Sequence, residues 1–234
     1  MFFELETTPR DGGRVTPAFP ARTYSLAANQ TETWLRAIYA AERVAAALAL
    51  LVLLPVAVIV AAVIAVLSRR CPLVRHSRIG WRGAPLGMLK FRTMWRDRDP
   101  SGHLFTIEDV AGWVPGSKAA GDSRVNSSFA AFCRRYSLDE LPQLYHVVRG
   151  QMSLVGPRPI TREELKRYYG GCEEEVLTLR PGLTGLWQIR GRNRLSYTRR
   201  KRLDLLFVRR VSAGLYLHIL LRSVPKVLSG DGAC

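Results

Sequence analysis

Residues 44–67 read VAAALALLVLLPVAVIVAAVIAVL, 24 positions without a charge. Wound as a helix at ~1.5 Å per residue, the run extends about 36 Å, enough for a ~30 Å hydrocarbon core. So long an uncharged stretch is a poor candidate for the buried helix of a soluble domain. It is expected to enter a membrane. Pro55 divides it into 11 residues before and 12 after. Proline removes a backbone donor and clashes with the preceding turn, so a bend is expected there. Each arm would be roughly 16–18 Å long, half the core, which suits a hairpin that dips in and returns. A kinked helix that crosses also fits, because membrane helices tolerate proline. The re-entrant hairpin is the favoured expectation.

Working outward, the flanking charge places one side. Arg69, Arg70, Arg75, Arg78, Arg82, Lys90, Arg92, Arg96 and Arg98 follow the run, against only Asp97 and Asp99. The positive-inside rule makes that side cytoplasmic. On the other side Arg36 and Arg43 are offset by Glu32 and Glu42, so charge gives no placement.

The whole chain of 234 residues carries 35 Lys and Arg against 19 Asp and Glu, a formal charge of +16. Such a balance calls for a polyanionic partner: nucleic acid, an anionic membrane surface or phosphorylated substrates. The base-stacking aromatic pattern of single-strand binders is missing, which argues against nucleic acid. Cys71, Cys133, Cys172 and Cys234 lie far apart, so neither a disulfide framework nor a zinc site is expected. His76, His103, His146 and His218 are equally scattered. No signal peptide is expected either, since no cleavage pattern follows the apolar run.

The length suits one domain plus a membrane segment. Residues 1–28, rich in Pro, Gly, Thr and Arg, read as a poorly ordered tail. Residues 29–70 form the interfacial and membrane-entering segment, with 33–43 helical. Residues 71–234 form the remaining domain. Within it a strand is expected over 88–94, a long loop over 97–121, and short helices over 129–136, 141–149 and 161–169. Thr161 and Glu164 stand at capping-box spacing. Residues 203–228 alternate basic and apolar positions. They fit a membrane surface, with Arg209, Arg210, Arg222 and Lys226 at lipid phosphates, as well as an ordinary packed helix.

Three short stretches could carry chemistry. In SLDELPQLYHVVRGQMSLVGPRP (137–159), Asp139 and Glu140 are adjacent acids in a basic chain. Ser137 and Glu140 match a capping box, but Pro142 would then fall beyond the first turn. A helix starting near Leu141 suits that proline better and leaves both acids just outside its N-terminus. In the second stretch, GPRP (156–159), two prolines stiffen the backbone around Arg158, whose fork of donors suits phosphate. The third is KFRTM (90–94), which brings two cations just after the membrane segment. Alone, each has a plain structural explanation: a helix cap, an exposed turn, a lipid-facing charge.

Together, KFRTM, SLDELPQL (137–144), MSLVGPRP (152–159) and RPGLTGLWQIRGR (180–192) resemble the bacterial sugar transferase family. These are small monotopic polyprenyl-phosphate phosphoglycosyl transferases, and the ending LSYTRRKRLDLLFVRRVS is similar to exopolysaccharide- or capsule-initiating members. The resemblance implies a mainly helical α+β fold. A re-entrant helix-break-helix hairpin with Pro55 at its apex and amphipathic interfacial helices would surround a small catalytic domain on the cytoplasmic face of the bacterial inner membrane. It implies transfer of a sugar-1-phosphate from a UDP-sugar to polyprenyl (undecaprenyl) phosphate, releasing UMP through an aspartyl-phosphosugar.

In that scheme Asp139 is the nucleophile and a ligand of Mg2+, and Glu140 is its dyad partner. Arg158, Arg134 and Lys90 stand at the phosphates, and Arg192 is a weaker candidate at the nucleotide. Membrane phospholipids are partners, and the family precedent allows a homodimer. The chain departs from the family pattern at several places. Leu54 stands where Ser often precedes the proline, Gln151 and Tyr216 stand where Asp is common, and residues 97–121 find no match. Asn126-Ser127-Ser128 replaces the usual Thr and Gly, with one extra residue before Ser137. A basic membrane-anchored binding module would also explain the charge and the apolar run. It gives no reason for Asp139-Glu140.

Overall fold

The computed structural model describes residues 28–94, 106–107 and 127–230. The expected tail, most of the 97–121 loop, Arg96, Arg98, Asn126 and Cys234 lie outside the described residues. One helix, α1 (Ala28–Ser68), runs for 41 residues with Pro55 inside it. It takes in the expected 33–43 helix, and its helical hydrogen bonding is continuous through the proline. Ser68 returns its hydroxyl to the Ile64 carbonyl at 2.7 Å. Arg69 then adopts φ 52°, in the left-handed region, which ends the helix.

A small sheet follows. β1 (Leu73–Ile79) and β2 (Pro85–Phe91) form an antiparallel hairpin through a 3-10 turn at Trp81–Gly83. The strand begins and ends three residues earlier than the sequence suggests. The cause is the turn: Arg82 and Gly83 take positive φ and return the chain at once. β3 (Thr106–Ile107) adds to β1 in parallel, so the stretch read as pure loop contributes a short edge strand. α2 (Ser128–Arg135), a 3-10 turn (Leu138–Gln143) and α3 (Leu144–Val148) come next. β4 (Ser153–Val155) pairs in parallel with β5 (Gly182–Thr184), and α4 (Arg162–Tyr168) and α5 (Glu173–Val176) lie between them. The expected capping box opens α4. α6 (Leu186–Ile189), α7 (Tyr197–Arg209) and α8 (Ala213–Ser229) complete the chain.

Both halves of α1 pack on this one body. Ala46, Ala49, Leu50 and Leu53 meet Leu86, Met88, Leu144, Val147 and Met152. Beyond Pro55, Ala57, Val60, Ala61 and Ile64 meet Phe91, Phe129 and Cys133, and Leu141 joins both groups. The opposite face is bare, with Val44, Leu48, Leu51, Val52, Val58, Ile59 and Val66 between 58% and 76% exposed. An apolar strip of that size on an exposed helix marks a surface for lipid or protein.

The N-terminal half of α1 is tied down by a residue the sequence showed only as a charge offset. Glu42 is 4% exposed. Its Oε2 accepts from the Ser153 hydroxyl at 3.0 Å, from Leu154 N at 3.0 Å and from the Tyr216 hydroxyl of α8. Burial raises its pKa. Tyr216, which stands where the family pattern commonly has Asp, is therefore the hydroxyl partner of a buried acid. A second carboxylate there would meet Glu42 with like charge.

Candidate active site

Asp139 and Glu140 do not sit ahead of a helix at Leu141; they fall inside the 3-10 turn Leu138–Gln143. Ser137 precedes it at φ 57° and makes no side-chain cap. A left-handed residue at that point re-aims the chain after α2, and the tighter 3-10 winding accommodates Pro142 where an α-helix begun at Ser137 would not. Asp139 is buried and Glu140 half-buried. Lys90, near the end of β2, reaches Glu140 Oε1 at 2.7 Å and stands 4.0 Å from Asp139 Oδ2. The sequence thus placed three members of one site correctly. Cys133 lies beneath them; burial and then the Asp139 charge push its thiol up to about 11, so it stays protonated.

β2 is held in place beside the carboxylates by His146. Its Nε2 accepts from Leu89 N at 3.1 Å, and its Nδ1 donates to Gln151 Oε1 at 2.8 Å. Burial lowers the His146 pKa, so the neutral ring suits a neutral amide partner. Gln151, a departure from the family pattern, therefore serves as a brace two residues removed from the chemistry. His76 lies on the same sheet face, its ladder partner Met88 two residues from Lys90. Burial, then Lys90, Arg78 and Arg92, depress its pKa to about 4.

An imidazole kept neutral in the fold but free to charge in the unfolded chain costs stability as pH falls from about 6.5 to about 4. We predict a loss of about 3 kcal/mol over that window, at ~1.4 kcal/mol per pH unit. Thermal midpoints of the wild type and His76→Gln between pH 7.5 and 4.5 check it. Parallel curves for the two proteins would remove His76 from the account.

Arg158 occupies different ground. No ion pair joins it to Asp139 or Glu140 among the described residues. Its guanidinium lies 5.3 Å from the Trp187 ring, and the Arg200 guanidinium lies 5.1 Å from the same ring. Arg158 also donates its backbone N–H to Asp204, which is fully buried on α7 and bonded by the Tyr169 hydroxyl at 3.2 Å. Burial raises Asp204 to about 7. Arg78, at the far end of β1, completes this group; burial and the Arg158 charge lower it to about 10. Arg78, Trp187, Arg200 and Asp204 went unread in the sequence. The available signal was an acid between leucines in a helix otherwise basic, LDLL. Arg134 stands in the last turn of α2, half-buried, and its carbonyl accepts from Ser137 N at 3.2 Å. Arg192, half-buried at φ 47°, lies on the connection from α6 to α7.

A basic strand end, an acid pair and a helix dressed for lipid now stand together, and the profile described as Bacterial sugar transferase matches residues 35–230. The chain belongs to the bacterial sugar transferase family. A relative from Rhizobium meliloti named Exopolysaccharide production protein ExoY is 38% identical over 192 residues, 81% of this chain and 84% of the relative. One from Caulobacter vibrioides, named UDP-glucose:undecaprenyl-phosphate glucose-1-phosphate transferase, is 38% identical over 197 residues, covering 81% and 69%. A third, from Erwinia amylovora, is named UDP-galactose-lipid carrier transferase. It is 40% identical over 165 residues, 69% of this chain and 34% of the relative. This sugar transferase therefore spans about a third of that longer relative and most of the other two.

Metal binding can be judged from the donors present. Among the described residues no three of His, Cys, Asp and Glu converge on a point. Magnesium does not need three, since one or two carboxylates suffice when phosphates and water complete the shell. Asp139 and Glu140 fit that description. Lys90 already engages Glu140, which leaves Asp139 as the better ligand.

Proposed function

We propose that this sugar transferase moves a sugar-1-phosphate from a UDP-sugar to polyprenyl (undecaprenyl) phosphate, as the first membrane step of exopolysaccharide assembly. The observation that carries the reading is Lys90 beside Asp139 and Glu140, on a turn whose Leu141 packs against both halves of the apolar helix. That placement suits a reaction between a soluble anion and a lipid anion. The names of the Caulobacter and Erwinia relatives describe the same kind of transfer.

In the reaction we propose, an Asp139 oxygen attacks the sugar-bearing phosphorus. The bond from that phosphorus to the bridging oxygen breaks, and UMP departs with the electron pair. An oxygen of polyprenyl phosphate then attacks the same phosphorus and expels the Asp139 carboxylate, which is regenerated. Phosphoryl transfer depends chiefly on positioning and charge neutralisation. Lys90 supplies positive charge at the attacked phosphate, and Glu140 fixes the ammonium there. Magnesium, held by Asp139, would neutralise the diphosphate. Arg134 and Arg192 are proposed as further contacts with the anionic substrates. The experiment is to incubate purified protein with a UDP-sugar panel, magnesium and polyprenyl phosphate and to measure UMP. Release that requires one UDP-sugar supports the reading; no release from any would sink it.

The membrane topology in this proposal is the re-entrant one, with the catalytic domain on the cytoplasmic face. Both halves of α1 rest on the same small domain, so a straight crossing would draw that domain into the bilayer. Single cysteines introduced at Thr16 and Ser101 are expected to react with an impermeant label from the same side of sealed vesicles. Opposite accessibility would overturn the hairpin.

A further inference from the structure

We infer that Arg78 and Arg200 join Arg158 in a cradle for the nucleotide-side phosphate of a nucleoside diphosphate sugar. The inference rests on the donor reading above. Three elements converge to build it. Ile79, next to Arg78, donates its N–H to the Ile160 carbonyl at 2.8 Å, which fastens the end of β1 to the segment carrying Arg158. Trp187 of α6, 5% exposed, lies within 5.3 Å of both the Arg158 and Arg200 guanidiniums. Asp204 of α7 anchors the Arg158 backbone.

The charge around this cluster is unbalanced. Arg78 and Arg158 each bury an Nε that has no hydrogen-bond partner. Two carboxylates stand nearby, and both are committed. Asp204 takes the Tyr169 hydroxyl and the Arg158 N–H, and Glu164 closes the capping box with Thr161. Arg158 is close enough for its charge to depress Arg78 and Arg200 alike. Like charges held together at half-buried positions are costly unless an anion joins them. A phosphate, with acceptor oxygens for several guanidinium forks, meets that need.

The cradle also lies on a line from the carboxylates. Lys90 pairs with Val74, Met88 with His76 and Leu86 with Arg78, so Lys90, His76 and Arg78 share one face of the hairpin. Four residues along a strand separate the Lys90 end from the Arg78 end, about 13 Å. An extended nucleoside diphosphate sugar covers such a span, with its sugar-bearing phosphorus at Asp139 and its nucleotide directed toward Arg158. The departing nucleoside monophosphate then leaves from a site that already holds its phosphate.

The test is calorimetric titration of the purified full-length protein with UMP and with uridine, alongside donor KM from UMP release. UMP is expected to bind and uridine to bind at least about tenfold more weakly. Arg78→Gln and Arg200→Gln should each weaken UMP and raise donor KM by about tenfold or more, with the thermal midpoint retained. Arg78→Lys and Arg200→Lys should recover part of the loss, since charge returns without the fork. They decide the matter if the Gln variants do not fold. Turnover with unchanged UMP affinity and donor KM in these variants overturns the cradle and leaves the donor reading intact. UMP binding that depends on both arginines, in a protein that turns over no sugar nucleotide, overturns the donor reading and retains a nucleotide-phosphate site. Uridine binding as tightly as UMP overturns the cradle outright.

Discussion

Replacing Asp139 by Asn is expected to reduce UMP release by about 10⁴-fold or more, because the step it performs has no substitute in the site. The amide keeps the size and most of the packing of a side chain that is only 9% exposed, so the fold should survive. It loses the nucleophilic oxygen pair. Glu140→Gln should cost less: Lys90 would lose its partner at 2.7 Å but would still stand near Asp139. In the wild type without acceptor, mass spectrometry of the peptide containing Asp139 should show the added phosphosugar, removable by hydroxylamine. An Asn variant that keeps a tenth of the activity would show that the covalent step lies elsewhere.

The sequence shows some of this site and hides the rest for a physical reason. Lys90, Asp139 and Glu140 were found because each sits in a short word whose residue types are unusual for its surroundings. The apolar run predicted α1 and the 161–164 capping box predicted the start of α4, since both are local patterns. The second anion-binding group was illegible. Arg78, Arg158 and Arg200 come from a strand end, a proline-stiffened turn and a helix, and only tertiary packing brings them onto Trp187. In a chain with 35 Lys and Arg, no composition or spacing separates these three from the solvated ones. Glu42 was read as an offset to Arg43 for the same reason. Its burial depends on Ser153 and Tyr216, more than 100 residues away. The turn at Ser137 was misjudged on local grounds, because capping-box spacing and a proline signal pointed to different helix starts. The chain took neither.

The glycines of GPRP and RPGLTG form one junction, and Gly182→Ala is expected to remove most of the stability of the domain. β4 and β5 approach so closely that a Cβ at Gly182 would fall 2.0 Å from Gly156 N and 2.4 Å from the Thr184 carbonyl oxygen. A Cβ at Gly156 would meet the Arg180 carbonyl oxygen at 2.3 Å and Gly182 N at 2.7 Å. These obstacles are backbone atoms, so no side chain can swing aside. The strands must separate, which strains Ser153 N to the Pro181 carbonyl, Gly156 N to the Thr184 carbonyl and Gly182 N to the Pro157 carbonyl, each 2.9 Å. Three hydrogen bonds at roughly 1 kcal/mol each, with an overpacking penalty of about 1–3 kcal/mol, come to about 5 kcal/mol. Native domains hold only about 5–15 kcal/mol in all. Purified Gly182→Ala should therefore melt at least about 10 °C lower or fail to accumulate. Gly214→Ala is the matched control: nothing lies within 4 Å of its Cβ, and it sits in α8, where Ala is the better helix former. Should both variants melt alike, the close approach of the two motifs would not be what holds Arg158 in place.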